Sequence, residues 1–238
     1  MKLAVISDIH GNLEALKTVL HYLKSENITN IICLGDVVGY GPRPNECTEL
    51  VKKHCLKCLM GNHDHAVLGL TEVQYFNQYA KDAVLWSRRE LSHLNKAYLD
   101  NLPFIFEDTS LIFVHSSPIE PMEWHYILSE KDARQNFDST PHQLTFIGHS
   151  HIPQVYSFKA GQCWQPQIQI TPDDRFIVNV GSVGQPRDGD PRACFVIYDD
   201  DAHTLEYIRL QYDIDITAQE ILDHNLPRFL AMRLYAGQ

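Results

Sequence analysis

Short apolar runs alternate with helical patterns over the first quarter of the chain. Residues 3–6 (LAVI) form a continuous apolar run ending at Ser7-Asp8, the pattern of a parallel strand buried on both faces that delivers polar residues at its carboxyl end. Leu13, Leu16, Leu20 and Leu23 then recur at helical spacing, with Asn12 placed to cap the first turn. The unit repeats. Residues 31–34 predict a second strand ending at Gly35-Asp36, residues 45–53 a helix, and residues 56–60 a third strand ending at Gly61-Asn62-His63-Asp64. This βαβαβ start predicts a parallel sheet with crossover helices, whose ligands bind beyond the carboxyl ends of the strands.

The stretch from Tyr75 to about Leu99 reads as one or two helices with Tyr75, Tyr79, Ala83 and Trp86 on an apolar face. After Pro103 the rhythm changes to short apolar segments at 111–114, 144–147, 154–158, 176–180, 193–198 and 205–210, read as strands of a second sheet. Gly161, Pro172-Asp173-Asp174 and Asp199 to Asp201 mark turns between them. The tail from Asp215 to Leu234 reads as one or two helices broken at Pro227. No internal repeat and no Gly/Ser-rich linker divides the chain. The expectation is one α/β domain over residues 1–238, a sheet-on-sheet sandwich flanked by helices.

Composition narrows the partners. Hydrophobic residues make up 44% and charged residues 21% of the 238, enough apolar material for a sizeable core. The net charge is −10, and no basic run exceeds a pair such as Lys52-Lys53 or Arg88-Arg89, which argues against a nucleic-acid duplex as partner. A small phosphorylated substrate stays compatible, because bound cations reverse the local field whatever the global charge. No apolar run approaches the roughly 18 residues that span a bilayer, and Met1-Lys2 leads directly into a strand. The expectation is a soluble, cytoplasmic chain with no membrane partner. The six cysteines read as buried free thiols without structural disulfides.

The chemistry concentrates at strand ends. In order these carry Asp8-Ile9-His10, Gly35-Asp36, Gly61-Asn62-His63-Asp64, His115 after Phe113-Val114, and Gly148-His149-Ser150-His151. Carboxylate oxygen, imidazole nitrogen and amide oxygen form a mixed hard and borderline donor set, suited to Mn, Fe, Zn, Co or Ni rather than to an oxygen-only Ca site. With 13 histidines in the chain, isolated ones such as His21, His93 and His224 read as surface or core residues.

This ordered series resembles the calcineurin-like metallophosphoesterase superfamily from residue 2 to about 198. The segments GDVVGYGPRP at 35–44 and NVGSVGQPRDGDPR at 179–192 further resemble its small bacterial and archaeal branch, which includes diadenosine-tetraphosphatase-like proteins. The resemblance implies a four-layer α/β/β/α sandwich and two divalent ions, manganese foremost. It places Asp8, His10, Asp36 and His151 on one ion and Asp36, Asn62, His115 and His149 on the other, with Asp36 bridging. It makes His63 a histidine just outside the ligand shell, oriented by Asp64. Such a pair of ions holds a bridging hydroxide as nucleophile for phosphoryl displacement, and His63 serves as proton donor to the leaving oxygen. Arg187 and Arg43 are the cations read as gripping substrate phosphate, since a guanidinium holds two phosphate oxygens.

Two other readings compete. One is an interaction scaffold that kept the fold and lost catalysis, which missing ligands would favour; here every position is filled. The other is a thiol protein built on Cys55 and Cys58, whose CxxC spacing lacks a second pair. Asp199 to Asp201 lacks EF-hand spacing and reads as a solvated turn. Tyr40 and Trp124 are candidates to stack on a base only if they lie at the mouth of a site.

Overall fold

The structure is a computed structural model that describes residues 1–238, apart from the side chain of Tyr75. β1 (Lys2–Ile6), β2 (Ile31–Cys33) and β3 (Lys57–Cys58) run parallel, linked by α1 (Leu13–Ser25) and α2 (Pro44–His54). The cap on α1 is the expected one, with Asn12 Oδ1 accepting the Ala15 N–H at 3.2 Å. The next helices are α3 (Asn62–Leu68), α4 (Gln78–Glu90) and α5 (His93–Asp100). Then come β4 (Ile105–Asp108), β5 (Leu111–Val114), α6 (Glu130–Ser139), β6 (Leu144–Ile147), β7 (Gln154–Ser157), β8 (Gly161–Cys163), β9 (Gln167–Gln169) and β10 (Phe176–Asn179). β11 (Ala193–Asp199), β12 (Thr204–Leu210), α7 (Ile214–Asp223) and α8 (Arg228–Ala236) complete the chain.

Two mixed six-stranded sheets result, ordered β3-β2-β1-β11-β12-β9 and β4-β5-β6-β10-β7-β8. Period-two alternation decides what each strand faces. Ala4 and Ile6 of β1, with Phe195 and Ile197 of β11, meet Leu16, Val19 and Leu23 of α1. Leu3, Val5, Val196 and Tyr198 from the same strands face inward against Phe113, Phe146 and Val178 of the second sheet. Outside that sheet, Ile147 and Ile177 pack on Ala133 and Phe137 of α6. These are the four layers of an α/β/β/α sandwich.

Several expectations are corrected. The segments at 193–198 and 205–210, expected in the second sheet, lie in the first: β11 pairs antiparallel with β1, placing Leu3 opposite Tyr198. A doubly buried strand is apolar throughout, so its pattern does not say which sheet it joins. α6 is carried by a capping box, in which Ser129 and Asp132 satisfy each other's backbone N–H, rather than by an apolar stripe. β4, β8 and β9 were not anticipated either. On α4 the buried face is Ala80, Ala83, Val84 and Ser87, while Tyr79 is 45% exposed; the Tyr75 side chain in the expected face lies outside the described residues. All six cysteines are free; burial pushes the Cys55 thiol well above its ordinary range, and a hydrogen bond with Cys33, then burial, does the same to Cys58, which removes the thiolate a redox reading requires. Among the described residues no helix is long and apolar enough to cross a membrane.

The two sheets are held together by fully buried aromatics: the Phe113 and Phe146 rings stack with centroids 5.1 Å apart and planes 7° from parallel. Phe146→Ala is expected to lower unfolding free energy by about 3–5 kcal/mol, measured by urea denaturation. A loss below roughly 1 kcal/mol would show that this stack does not hold the sheets.

Candidate metal centre and active site

The parallel strands of both sheets aim their carboxyl ends at one place. The loops after β1 and β2 continue the parallel ladder past the strands, with Asp8 N donating to Gly35 O at 3.1 Å, His10 N to Asp36 O at 2.9 Å and Gly11 N to Val37 O at 2.8 Å. Asp8, His10 and Asp36 are thereby fixed side by side. From the second sheet, β5 ends at His115 and β6 leads into His149 and His151. The His149 N–H donates to Asp8 Oδ2 at 3.0 Å, tying the two sheets together through the Asp8 carboxylate. Gly61 and Gly148 allow this proximity: a Cβ on Gly61 would lie 2.1 Å from Asp36 Oδ1, and one on Gly148 2.1 Å from Ser7 Oγ.

The donor atoms converge. His10 Nε2 lies 3.1 Å from His151 Nε2, 3.8 Å from Asp8 Oδ1 and 3.6 Å from Asp36 Oδ2. On the other side of Asp36, His115 Nε2 lies 3.5 Å from the same Oδ2 and 3.2 Å from Asn62 Oδ1. Two donors each about 2.1 Å from a common ion are separated by roughly 3 to 4 Å, so these spacings fit metal ligands. Three potential ligand groups, Asp8-His10-His151, His10-Asp36-His63 and Asp36-His115-His149, overlap at His10 and Asp36 and are entirely buried.

Hydrogen bonds on the far ring nitrogens aim the near ones. His10 Nδ1 bonds the Val38 carbonyl at 3.1 Å, His115 Nδ1 the Leu34 carbonyl at 3.2 Å, and His151 Nδ1 the Gln185 carbonyl at 2.6 Å. Each donation fixes the ring orientation, leaving Nε2 as a lone-pair donor in His10 and His151, and in His115 once its Nε2 proton is lost. His149 is reversed: its Nε2 bonds the Trp124 carbonyl at 3.0 Å, leaving Nδ1 for the centre. Asp8 Oδ1 is buried without a hydrogen-bond partner, an orphan that a cation satisfies. Asp8, His10, Asp36, His149 and His151 all adopt left-handed backbone, with φ between 51° and 67°, and such strain clusters at functional sites.

Burial governs protonation. It lowers His149 to about 3 and holds His10 and His151 well below their ordinary value, so these are neutral donors at pH 7. Burial raises Asp8 to about 7. His115 is the exception, because the facing Asp36 overcomes burial and raises it to about 9. Asp36 itself stays below the usual carboxylate range: burial acts to raise it, but His115, His63 and His10 together outweigh burial.

Beside the centre lies a cavity of about 700 Å3 whose wall includes Asn62, His63, Phe76, Trp124, Tyr126 and Arg187. His63 stands between the ligands and this cavity: its backbone N–H donates to Asp36 Oδ1 at 2.8 Å, and its ring packs against Tyr40, His10 and Phe76. Tyr40 and Trp124 both line the cavity. Tyr126, which the sequence did not single out, stacks on His149 with centroids 4.0 Å apart.

Two assignments change. Asp64 does not orient His63: its oxygens accept the Val38 and Gly61 N–H groups, each at 3.1 Å, while His63 Nδ1 has no partner. The carboxylate is drawn inward because the α3 N-terminus has backbone N–H groups to satisfy. Arg43 does not line the cavity; its guanidinium pairs with Glu46 at 3.3 Å and more closely with Glu220. Arg187 does line it.

Residues 1–202 match the profile of the calcineurin-like phosphoesterase superfamily domain. The chain is 41% identical over 244 residues to the uncharacterized protein MJ0912 of Methanocaldococcus jannaschii, covering 99% of this chain and 98% of that one. Its structure is similar to a metallophosphoesterase from Sphaerobacter thermophilus, with a TM-score of 0.90 and 36% identity over 100% of this chain and 99% of the other. The hypothetical protein PH1004 from Pyrococcus horikoshii OT3 shares the fold, with a TM-score of 0.82 at 21% identity over 100% of this chain and 98% of that one.

The charge on His115 gives a measurable consequence. Raised to about 9, it stabilises the metal-free chain fully below about pH 6.5, and the contribution is lost as pH rises through 9. A metal bound through His115 would have to displace that proton. At pH 8, where Asp8 is already mostly ionised, uptake of divalent metal by the chelated protein should release about one proton, and His115→Ala should abolish the release. Calorimetry in buffers of unequal ionisation enthalpy measures it; equal release from both proteins would contradict the pairing of His115 with Asp36.

Proposed function

The chain belongs to the calcineurin-like phosphoesterase superfamily, and from that premise we propose that it is a hydrolase of phosphate esters working with two divalent ions bridged by Asp36. The observation that carries this reading is the place of Asp36 Oδ2, 3.6 Å from His10 Nε2 and 3.5 Å from His115 Nε2, between the two donor groups. Asp8, His10 and His151 would hold one ion, and Asn62, His115 and His149 the other. When bound, such a pair supplies Lewis acidity for in-line displacement by water. Manganese is the ion we propose first, with Fe, Zn, Ni or Co accommodated by the same donors.

The chain's own residues do the rest. Arg187, on the cavity wall, orients the substrate phosphate. Phe76, Trp124 and Tyr126 offer apolar surface to the ester group, which suits a phosphodiester or nucleotide-type substrate. His63 faces the leaving side. Burial lowers its imidazole to about 4, so it is neutral in the free protein, and a phosphate anion bound beside it favours its protonated form. Its role as proton donor therefore belongs to the substrate complex.

Three measurements test this reading. Asp36→Asn should cut kcat by at least about 100-fold and lower bound metal in elemental analysis, because the bridging carboxylate neutralises both ions; near-normal turnover with full metal content would remove Asp36 from the site. Chelation should abolish hydrolysis reversibly while circular dichroism stays native, since the core lies between the sheets; full activity in demonstrably metal-free protein would end the proposal. His63→Asn should retain its metal and slow alkyl and nucleotide esters more than activated aryl esters, because an aryloxide leaves without protonation. Equal slowing of both classes would make His63 a positioning contact.

A further inference from the structure

The guanidinium groups of the chain are not treated alike. Arg43, Arg192 and Arg209 each pair with an Asp or Glu. Arg187 and Arg233 have no such carboxylate among the described residues, although the chain holds 30 acidic residues against 20 basic ones. Both rest on one aromatic ring: the Arg187 Cζ lies 5.6 Å and the Arg233 Cζ 5.9 Å from the Tyr40 centroid. Arg187 Nε is buried with no partner, and one of its terminal nitrogens donates to Gln185 Oε1 at 2.9 Å. Arg233 Nε donates to the main-chain oxygen of Gln238, leaving its terminal nitrogens for another acceptor. The two charges disfavour each other: burial first, then the charge of Arg187, lowers Arg233 to about 10. Two desolvated like charges sharing one ring are costly unless an anion joins them.

Arg233 reaches this place on α8, beyond the matched region at 1–202. The α7–α8 hairpin packs Ile221, Leu230 and Leu234 in one cluster with Tyr40, whose ring lines the cavity beside the centre.

We propose that Arg187 and Arg233, set against Tyr40 beside the metal centre, form a second anion subsite that takes a further phosphoryl group of the substrate. The inference rests on the phosphoesterase reading above and makes it narrower: esters carrying two or more phosphoryl groups are preferred over those carrying one. Arg187 lies nearer the ligands, its N–H donating to the His151 carbonyl at 3.2 Å, and Arg233 adds the outer contact. A guanidinium suits this task because its fork holds two phosphate oxygens at once.

The test compares non-hydrolysable ligands, methylenediphosphonate and methylphosphonate, titrated by calorimetry into the full-length protein in manganese-containing buffer. The wild type should bind the diphosphonate at least about tenfold tighter, and Arg233→Met and Arg187→Met should each bring that ratio towards one, with Arg233→Lys retaining part of it. Arg233→Met should also keep or raise Tm without ligand, since it removes a desolvated like charge. A wild-type ratio near one, or a ratio unchanged in Arg233→Met, overturns the subsite. So does a lowered Tm with equal weakening of both ligands, which would make Arg233 a clip for the C-terminus. Because binding is read without turnover, a protein that hydrolyses no ester yet shows the ratio would lose the hydrolase reading and keep the subsite. One that hydrolyses single-phosphoryl esters without the ratio would do the reverse.

Discussion

Two carboxylates removed from water at one point are the constraint on which the site and its surroundings depend. Asp8 and Asp36 are at most 1% exposed, and ionised carboxylates cost several kcal/mol each to bury without compensation. Asp36 finds compensation in protonated His115 and in the His63 N–H. Asp8 finds less: one oxygen accepts the His149 N–H, the other has no hydrogen-bond partner, and its carboxyl is raised to about 7. The protein part of the centre is thus short of positive charge, while three neutral imidazoles are locked with lone pairs towards it. A cation completes that arrangement better than protons can, because a proton on His10 or His151 would occupy the Nε2 lone pair and bring another charge into the same buried volume.

Holding the donors together requires backbone that unconstrained chains avoid. Left-handed φ at a residue with a side chain costs roughly 1–2 kcal/mol, and it recurs at Asp8, His10, Asp36, His149 and His151. The strain persists because these loops are fixed from both sides. His10 and Gly11 bond across to the loop after β2, and Val183 N and Gly184 N bond back to Ser7 O and Asp8 O. The inter-sheet core holds the two sheets at the separation that lets these loops meet. Stability resides in the apolar layers, and strain is confined to the polar rim they support.

Much of this was legible in the sequence. The first three strands, α1 with its Asn12 cap, and the Asp, Asn and His motifs at strand ends are all local signals: apolar run, capping side chain, Gly followed by Asp, Asn or His. The rest was lost where the deciding partner is distant. β11 could not be placed in its sheet because both faces are buried, and its pairing with β1 spans almost the whole chain. Asp64 was read as a partner of His63 because they are adjacent, yet the unsatisfied N–H groups of Gly61 and Val38 lay closer. Tyr126 offered no spacing signal, since a single aromatic in a loop is uninformative until His149 is seen beneath it.

The arginines show how one late element adjusts the charge of a site built much earlier in the chain. On α7, Glu220 reaches back to Arg43 and neutralises it; on α8, Arg233 arrives beside Tyr40 with no acidic side chain of its own. The hairpin is anchored for this by Thr217, whose hydroxyl donates at 3.0 Å to Asn12 Oδ1, the same oxygen that caps α1. It therefore removes positive charge from one side of the loop that carries Tyr40 and adds it on the other. Exposed carboxylates elsewhere do little to cancel the effect, because their fields are screened over about 8 Å at physiological salt. A chain with a net charge of −10 thus sets two arginines against Tyr40, whose ring lines the cavity beside the buried His and Asp cluster.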